Sequence, residues 1–456
     1  MLFLVTYYAY LFEYCRKGRI YSHPKKMAAL LLPAAMLLLM PSYGSTQEYQ
    51  FDLAEIEKKP YKLGGYAEVT PILYKVDKDA AFYRLKFYNR DEGSTLEKYD
   101  MTLQLDGSYE KGMARAFARI NSNLNHTYQG WSGKTRLYEG YLSLKPSPSL
   151  IVDTGKKTLK WGKGYAWNPA AFLDRPKDPD DPALALEGFF VATLDYIRSF
   201  DGPLKTFSFT PALVPVYGDM NKDFGEPGHL NLAAKFYFLF LDTDMDFMFL
   251  SGGSKSSRYG FDFSRNITSN FEIHGELARI EDYGKRFVDR NGEVFETRSD
   301  VWSYLAGIRY LTAWETTCIL EYYHNGTGFT EREISDYFSF VEKGYDTYLS
   351  TGNDALLRKA SGETEGRYDR MNPMRNYLYL RVSQKEPLDI LYVTPAITWI
   401  YNLDDQSFSL SPEVVYTGIT NLELRLKGVF LSGDRFTEYG EKQNDYRIDL
   451  RVRYYF

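Results

Sequence analysis

The last twelve residues of the chain read Asp445-Tyr446-Arg447-Ile448-Asp449-Leu450-Arg451-Val452-Arg453-Tyr454-Tyr455-Phe456. Apolar or aromatic residues occupy the even positions, and charged residues occupy the odd positions as far as Arg453. Successive side chains of a β-strand point to opposite faces. This segment therefore predicts a strand with one face against an apolar medium and the other against a polar one.

The same alternation recurs along most of the chain. Apolar residues alternate with polar or charged ones in several segments: Leu422, Leu424 and Leu426 with Glu423, Arg425 and Lys427; Leu378, Leu380 and Val382 with Tyr377, Tyr379 and Arg381; Phe271, Ile273 and Leu277 with Glu272, His274 and Glu276. A dry sandwich core would not tolerate so many charged side chains. The pattern predicts an all-β fold, a transmembrane antiparallel β-barrel with a wet interior.

The composition agrees with this fold class. The chain has 40 Tyr and 30 Phe, yet its mean hydropathy of −0.41 is too low for a bundle of membrane helices. Aromatic girdles around a half-polar barrel produce such a mixture, although a soluble all-β protein would also be rich in Tyr. The formal net charge of −5 is small and mixed, so we expect no nucleic-acid partner.

Nineteen windows have the character of strands, and a bacterial single-chain barrel has an even number of them. We therefore predict about 18 strands, with one window falsely split or one more strand near residues 49–54. The windows are residues 61–74, 80–90, 98–109, 112–126, 134–145, 149–161, 188–198, 203–217, 229–241, 243–251, 257–265, 268–281, 300–310, 314–324, 374–384, 388–403, 406–417, 421–432 and 445–456.

The connections between these windows differ in length. Residues 146–148, 311–313 and 385–387 are short enough for turns, whereas the longer connections are residues 162–187, 218–228, 282–299, 325–373 and 433–444. If the C-terminus is periplasmic, all the long connections fall at the outer end. This agreement predicts long outer loops and short periplasmic turns.

The N-terminal region has the character of a targeting signal. Five basic residues up to Lys26 precede an apolar run over residues 27–40, and small residues follow it. We expect residues 1–44 to be an extension and signal peptide that is removed, residues 45–60 a periplasmic segment, and residues 61–456 the barrel. The mature chain would keep only Cys318 and form no internal disulfide.

Phe456 ends the final alternating strand, and this ending resembles the recognition signal by which bacterial outer-membrane barrels are delivered for insertion. The resemblance covers the last dozen residues. It implies a place in the outer membrane of a Gram-negative bacterium, with the lipid bilayer and the barrel-insertion machinery as partners.

Residues 162–187 form the most distinctive connection. Its prolines prevent a regular strand or helix, and its aromatic residues are too numerous for a freely solvated loop. It resembles the inward-folded constriction loop of outer-membrane porins, the alternative being a surface loop packed on the rim. The resemblance implies constriction residues among Trp167, Asp174, Arg175, Lys177 and Asp178. The aspartates 178, 180 and 181 do not have the spacing of a calcium loop.

Charges on the inferred inner face are unevenly distributed. Basic residues come from windows near the two chain ends, which barrel closure makes neighbours: Arg84, Lys86, Arg115, Arg119, Arg381, Arg425, Lys427, Arg447, Arg451 and Arg453. Acidic residues come from the middle of the chain: Asp244, Asp246, Asp262, Glu272 and Glu276. These are our candidate lining residues. Opposed walls would set up a field across the lumen, and ordinary salt-bridged lining is the alternative.

These patterns favour a porin-like channel for diffusion of small hydrophilic solutes, with no cofactor and no metal, as a monomer or a homo-oligomer. One alternative is a structural or assembly barrel that docks a partner, with residues 51–60 as its handle. A barrel hydrolase is the other. The mature histidines, at positions 126, 229, 274 and 324, lie in no catalytic motif, so we predict that the protein is not an enzyme.

Overall fold

Eighteen antiparallel strands form one closed sheet in the computed structural model, which describes residues 59–90 and 92–456. Each strand pairs with the next along the chain, and the first pairs with the last through Tyr66 opposite Tyr455. Closure leaves no free sheet edge. The predicted fold class and strand number are confirmed.

The strands vary in length, and most coincide with the predicted windows. They are β1 (Tyr61–Val76), β2 (Thr95–Lys111), β3 (Ala114–Thr127), β4 (Gly130–Ser147), β5 (Leu150–Lys157), β6 (Phe189–Ser199), β7 (Leu204–Val216), β8 (His229–Phe240), β9 (Thr243–Ser251), β10 (Arg258–Thr268), β11 (Phe271–Val288), β12 (Val294–Leu311), β13 (Thr316–His324), β14 (Asn376–Gln384), β15 (Val393–Asn402), β16 (Phe408–Ile419), β17 (Leu422–Ser432) and β18 (Asn444–Tyr455).

The window at residues 80–90 is the false one, because it forms helix α1 (Ala81–Phe87) in the connection between β1 and β2. Its buried residues Ala80, Tyr83 and Phe87 are three and four positions apart, which is helical spacing. Arg84 and Lys86 therefore lie on a helix at the outer end and do not line a strand wall. Arg84 pairs with Asp79 at 3.0 Å.

Connections at the two ends of the barrel differ as predicted. The longest, all at the end of the barrel that is predicted to be the outer one, are residues 77–94, 158–188, 217–228, 325–375 and 433–443, while most turns at the predicted periplasmic end have two to four residues. The expected long loop at residues 282–299 is wrong. β11 and β12 continue past the apolar belt, where one side packs against the cap connection through Val288 and the strict alternation disappears, and residues 289–293 join them.

The connection at residues 325–375 contains helices α2 (Glu331–Thr351) and α3 (Ala355–Glu363), which we call the cap. Thr330 and Glu333 form a capping box at the start of α2, and Gly352 ends it with a φ of 73°. The rings of Tyr337 and Tyr368 stack with centroids 3.8 Å apart inside the cap. The longest connection is therefore a packed helical unit.

No helix in the described part of the chain is long and apolar enough to cross a membrane.

The two faces of the sheet differ in polarity. On β17 and β18, Leu426 and Leu450 are exposed, whereas their neighbours Lys427 and Asp449 are buried. Buried polar residues of other strands, such as Asn121, share the second face. A closed ring can bury polar side chains only on its inner side, so the apolar face is the outer one.

Candidate functional site: the lumenal loop

Residues 158–188 connect β5 to β6, and we call them the lumenal loop. The Asp174 carboxylate closes the base of this loop by accepting hydrogen bonds from the backbone N–H groups of Leu159, Lys160 and Trp161, at 2.9, 3.0 and 2.7 Å. Burial raises the pKa of Asp174 above its ordinary value, although these three N–H groups act in the opposite direction. Asp174 therefore holds the loop's own backbone.

Glu276 of β11 holds the first part of the loop against one side of the barrel. Its carboxylate accepts from the backbone N–H groups of Lys163, Gly164 and Ala170, at 2.6, 2.7 and 3.0 Å. A side chain could not replace the glycines here: a Cβ on Gly162 would lie 2.8 Å from Glu276 Oε1. This close approach explains the Gly-Lys-Gly sequence of the loop.

Neighbouring carboxylates of the same side also bind the loop. Glu321 of β13 accepts from the backbone N–H of Ala166 at 2.9 Å and is hydrogen-bonded to His274 Nε2 at 2.9 Å. The Lys163 ammonium lies 3.1 Å from the Asp246 carboxylate of β9. We call Asp246, Asp262, Glu276 and Glu321 the acidic wall.

The second part of the loop carries two aspartates, which bind cationic side chains on the other side of the barrel. The Asp180 carboxylate lies 2.8 Å from both Lys427 Nζ and Arg447 Nη2, and it accepts from the Ser411 hydroxyl at 2.8 Å. The Asp181 carboxylate lies 2.8 Å from Arg425 and 3.3 Å from Arg451. We call Arg425, Lys427, Arg447 and Arg451 the basic wall. Although burial opposes it, these cations hold the pKa of both aspartates below the ordinary range.

The loop is therefore attached at three places: its root at β5 and β6, the acidic wall on β9 to β13, and the basic wall on β17 and β18. These places divide the ring of strands into three roughly equal arcs. Because every attachment uses inward-facing side chains, the loop lies inside the barrel.

The five residues expected at the constriction mainly fasten the loop. Trp167 is buried, stacks on Tyr323 with centroids 5.0 Å apart and donates to Asn372 of the cap connection at 3.1 Å. Arg175 donates to the Glu187 carbonyl at 3.1 Å, and Lys177 donates to the Gly164 carbonyl. Asp178 accepts from the Asp180 backbone at 2.9 Å. Trp167 and Asp174 therefore present no free side chain to the lumen.

The residues that place the loop were partly missed. The sequence places Asp180 and Asp181 in a cluster of aspartates without indicating their partners, and no local pattern marks Glu321 or Lys163. Their partners lie far away in sequence, since Arg447 is 267 residues from Asp180. The two clues available in the sequence were the neighbouring aspartates and the basic alternation of the C-terminal strands.

The remaining lining candidates are mostly paired. Arg119 lies 2.8 Å from both Asp106 and Glu139. Other contacts are similar: Arg381 pairs with Glu413, Arg453 pairs with Glu68, Glu272 accepts from the Tyr165 hydroxyl, and Arg115 is exposed near the periplasmic end of β3. Asp262 is fully buried. The two walls exist, and the loop's aspartates pair with all four cations of the basic wall, whereas on the acidic wall the loop supplies one ammonium, Lys163, and backbone N–H donors.

Glu438, in the connection at residues 433–443, leads to a prediction of pH dependence. It accepts from the Tyr377 hydroxyl at 2.6 Å and from Asn402 at 2.9 Å, and burial raises its pKa to about 7. A raised pKa in the folded state means that stability is greatest below the unfolded pKa and is lost as the pH rises through about 7.

We expect Glu438→Gln to remove this part of the pH dependence, because the amide stays neutral. Between pH 5 and 8 the wild type should lose about 3 kcal/mol more than the variant, measured by denaturant unfolding in detergent. Asp434→Asn, an exposed site in the same connection, should keep the wild-type dependence. Parallel curves for Glu438→Gln and wild type would contradict the prediction.

A closed barrel of 18 antiparallel strands with a loop folded into its lumen is the architecture of a porin. No family model matches the chain, and no curated protein matches it significantly. Among solved structures, Pseudomonas aeruginosa OccK2 (OpdF) is similar, with 11% identity, a TM-score of 0.50, and coverage of 87% of this chain and 97% of that chain.

Two further structures are similar at lower scores. Acinetobacter baumannii OccAB1 has 9% identity and a TM-score of 0.49 over 86% of this chain and 96% of that chain. A mutant of the Rh. blastica porin has 10% identity and a TM-score of 0.43 over 87% and 100%. The likeness to OccK2 establishes the porin-type fold and nothing finer.

Proposed function

We propose that the protein is a channel in the outer membrane of a Gram-negative bacterium, through which small hydrophilic solutes diffuse. The observation that carries this proposal is the closed ring of strands with an apolar outer face, a charged inner face and a loop attached across the lumen. The outer face suits lipid, and the inner face suits water. No cofactor is needed for passive diffusion.

The lumenal loop is the proposed constriction. It reduces the lumen because it occupies space between the acidic and basic walls, and three separate attachments keep it there. The narrowest cross-section governs both the conductance and the size of solute that passes. We further propose that solutes pass along the side of β5 to β8, next to the root of the loop.

The decisive experiment is a recording of the purified protein in a planar lipid bilayer. We expect stepwise ion conductance that is stable at low voltage. A correctly folded barrel that remains silent would instead favour the structural or assembly barrel. Among the histidines, His274 is fully buried against Glu321 and cannot reach a substrate, so a hydrolase would have to use another one.

The outer face can be tested with Leu450→Arg, near the middle of β18. A charge facing lipid near the midplane should destabilise the barrel by about 2–4 kcal/mol, measured by reversible unfolding in lipid vesicles. Leu450→Phe, which keeps the site apolar, should have little effect. If the arginine variant is as stable as the phenylalanine variant, this face does not contact lipid.

The C-terminus can be tested by deleting Phe456, the proposed insertion signal. Its backbone pairs with Gly65 at 3.0 and 3.1 Å, while its ring is about half exposed. We expect the truncated protein to be exported but poorly inserted, with much less heat-modifiable barrel in outer-membrane fractions. Phe456→Tyr should insert almost normally. Normal insertion of the truncated protein would show that Phe456 is not required.

A further inference from the structure

A cavity of about 350 Å³ lies in the inner wall of β5 to β8, on the periplasmic side of the root of the lumenal loop. This volume is at the lower end of the range for small-molecule sites. Leu159 and Trp161 of the loop cover one side of it. The strand residues that line it all face inward: Lys157, Thr193, Asp195, Ile197, Thr206, Ser208, Thr210, Lys235 and Tyr237.

Hydroxyl groups dominate the polar lining of this cavity. Thr206 and Ser208 of β7 make no side-chain hydrogen bond with any described residue, so their hydroxyls can bind a solute. A hydroxyl can donate one hydrogen bond and accept two, and it can therefore match another hydroxyl in either direction. Trp161, Leu159 and Ile197 add apolar surface. Sugars and related polyols combine hydroxyls with apolar C–H faces in the same way.

The two lysines of the cavity already lie beside carboxylates, and the one carboxylate that lines it is hydrogen-bonded to a hydroxyl. Lys157 pairs with Asp153, and Lys235 lies 3.7 Å from Asp246, which also receives Lys163 at 3.1 Å. Asp195 accepts from the Thr210 hydroxyl. Each cation thus has a carboxylate beside it. A free ion would have to compete with these contacts, whereas a neutral solute would leave them intact.

We propose that this cavity is a binding site for a neutral, hydroxyl-rich solute of monosaccharide size, which occupies it during passage. The inference rests on the proposed channel function and adds the class of solute. Binding should be weak, because a channel site must release its solute on both sides.

The test measures block of the single-channel current by glucose, with glucuronate and glucosamine as charged analogues of the same size. Glucose should block at the lowest concentration, with half-block on the order of millimolar, equivalent to about −4 kcal/mol. Thr206→Val combined with Ser208→Ala should raise the half-blocking concentration about five-fold, because two hydrogen bonds are lost.

The matched control is Thr394→Val combined with Ser383→Ala, half-buried residues on β15 and β14 outside the cavity. Glucose should block this control variant at the same concentration as it blocks the wild type. Three outcomes would overturn the site: no block by glucose in a conducting channel, an equal change in the control, or stronger block by either charged analogue.

If the protein is not a channel at all, the result is different, because the barrel then conducts no current even when no sugar is present. Saturation-transfer NMR of glucose with the purified barrel tests the site in that case too. Transfer should be reduced by Thr206→Val with Ser208→Ala and retained by the control. Absence of transfer to the wild type would overturn the site regardless of conductance.

Discussion

Replacing Asp180 and Asp181 together by asparagine should raise the single-channel conductance about two-fold or more and move the ion preference toward anions. The two carboxylates form the loop's ion pairs with all four cations of the basic wall; besides them, Lys427 Nζ donates to the Asp180 carbonyl at 2.6 Å. An amide cannot balance these charges, so this part of the loop should leave the wall. The uncovered cations then attract anions within a Debye length of about 8 Å at physiological salt.

The matched control is Asp178→Asn, because an amide oxygen can still accept the backbone N–H that Asp178 binds. It should conduct like the wild type. Circular dichroism should report the same β content for both variants. If the double variant also behaves like the wild type, the loop is not held by these ion pairs and the proposed constriction is wrong.

Reversing two charges of the basic wall should shift the ion preference of the channel in the opposite direction. Arg425→Glu with Arg451→Glu should loosen the loop at Asp181, since both side chains would then repel it, while Asp180 keeps Lys427 and Arg447. Conductance should rise less than in the double asparagine variant, and the ion preference should move toward cations. Conductance gains with opposite selectivity would separate the loosening of the loop from the effect of wall charge.

Glu276→Ala should have the largest effect on the order of the loop. The buried carboxylate accepts three backbone hydrogen bonds from Lys163, Gly164 and Ala170, and its loss leaves these donors without an acceptor. We expect a loss of about 3–5 kcal/mol in unfolding free energy. The loop should also become sensitive to proteolysis.

Two further variants serve as controls for Glu276→Ala. Glu276→Gln keeps one acceptor oxygen and should lose less than the alanine variant. Glu272 lies on the same strand, and Glu272→Ala removes one hydrogen bond, from the Tyr165 hydroxyl at 3.2 Å, and longer contacts to His274 Nδ1 at 3.6 Å and Arg309 at 3.7 Å, so it should cost about 1 kcal/mol or less. Similar small losses in all three variants would mean that Glu276 does not anchor the loop.

Much of the barrel could be predicted from local sequence. The alternation in β17 and β18 is a property of neighbouring residues, because it reflects two media on the two sides of one strand. Counting such segments, together with short and long connections, was enough for the fold class and the strand number. The same argument fails in the outer parts of β11 and β12, because there the strands no longer separate an apolar medium from a polar one: Arg298 is exposed, while Arg286 pairs with Glu363 of the cap.

Helix α1 shows a second limit of local reasoning. Its sequence has aromatic residues close together, which also suits a strand, and only packing of Tyr83 and Phe87 against Val76 distinguishes the helical spacing. Because this segment is a helix and not a strand, Arg84 and Lys86 lie in the connection between β1 and β2 and do not line the lumen wall.

The sequence by itself determined that the chain forms a barrel of about 18 strands with a charged interior and a proline-rich loop, because each of these features is encoded within a short segment. Only the tertiary structure decided what that interior charge does. Pairing of β17 with β18 places Lys427 and Arg447 side by side on the inner face, and the path of the loop then brings Asp180 to both of them. The contacts of Asp180 join residues more than two hundred positions apart, and no local pattern specifies them.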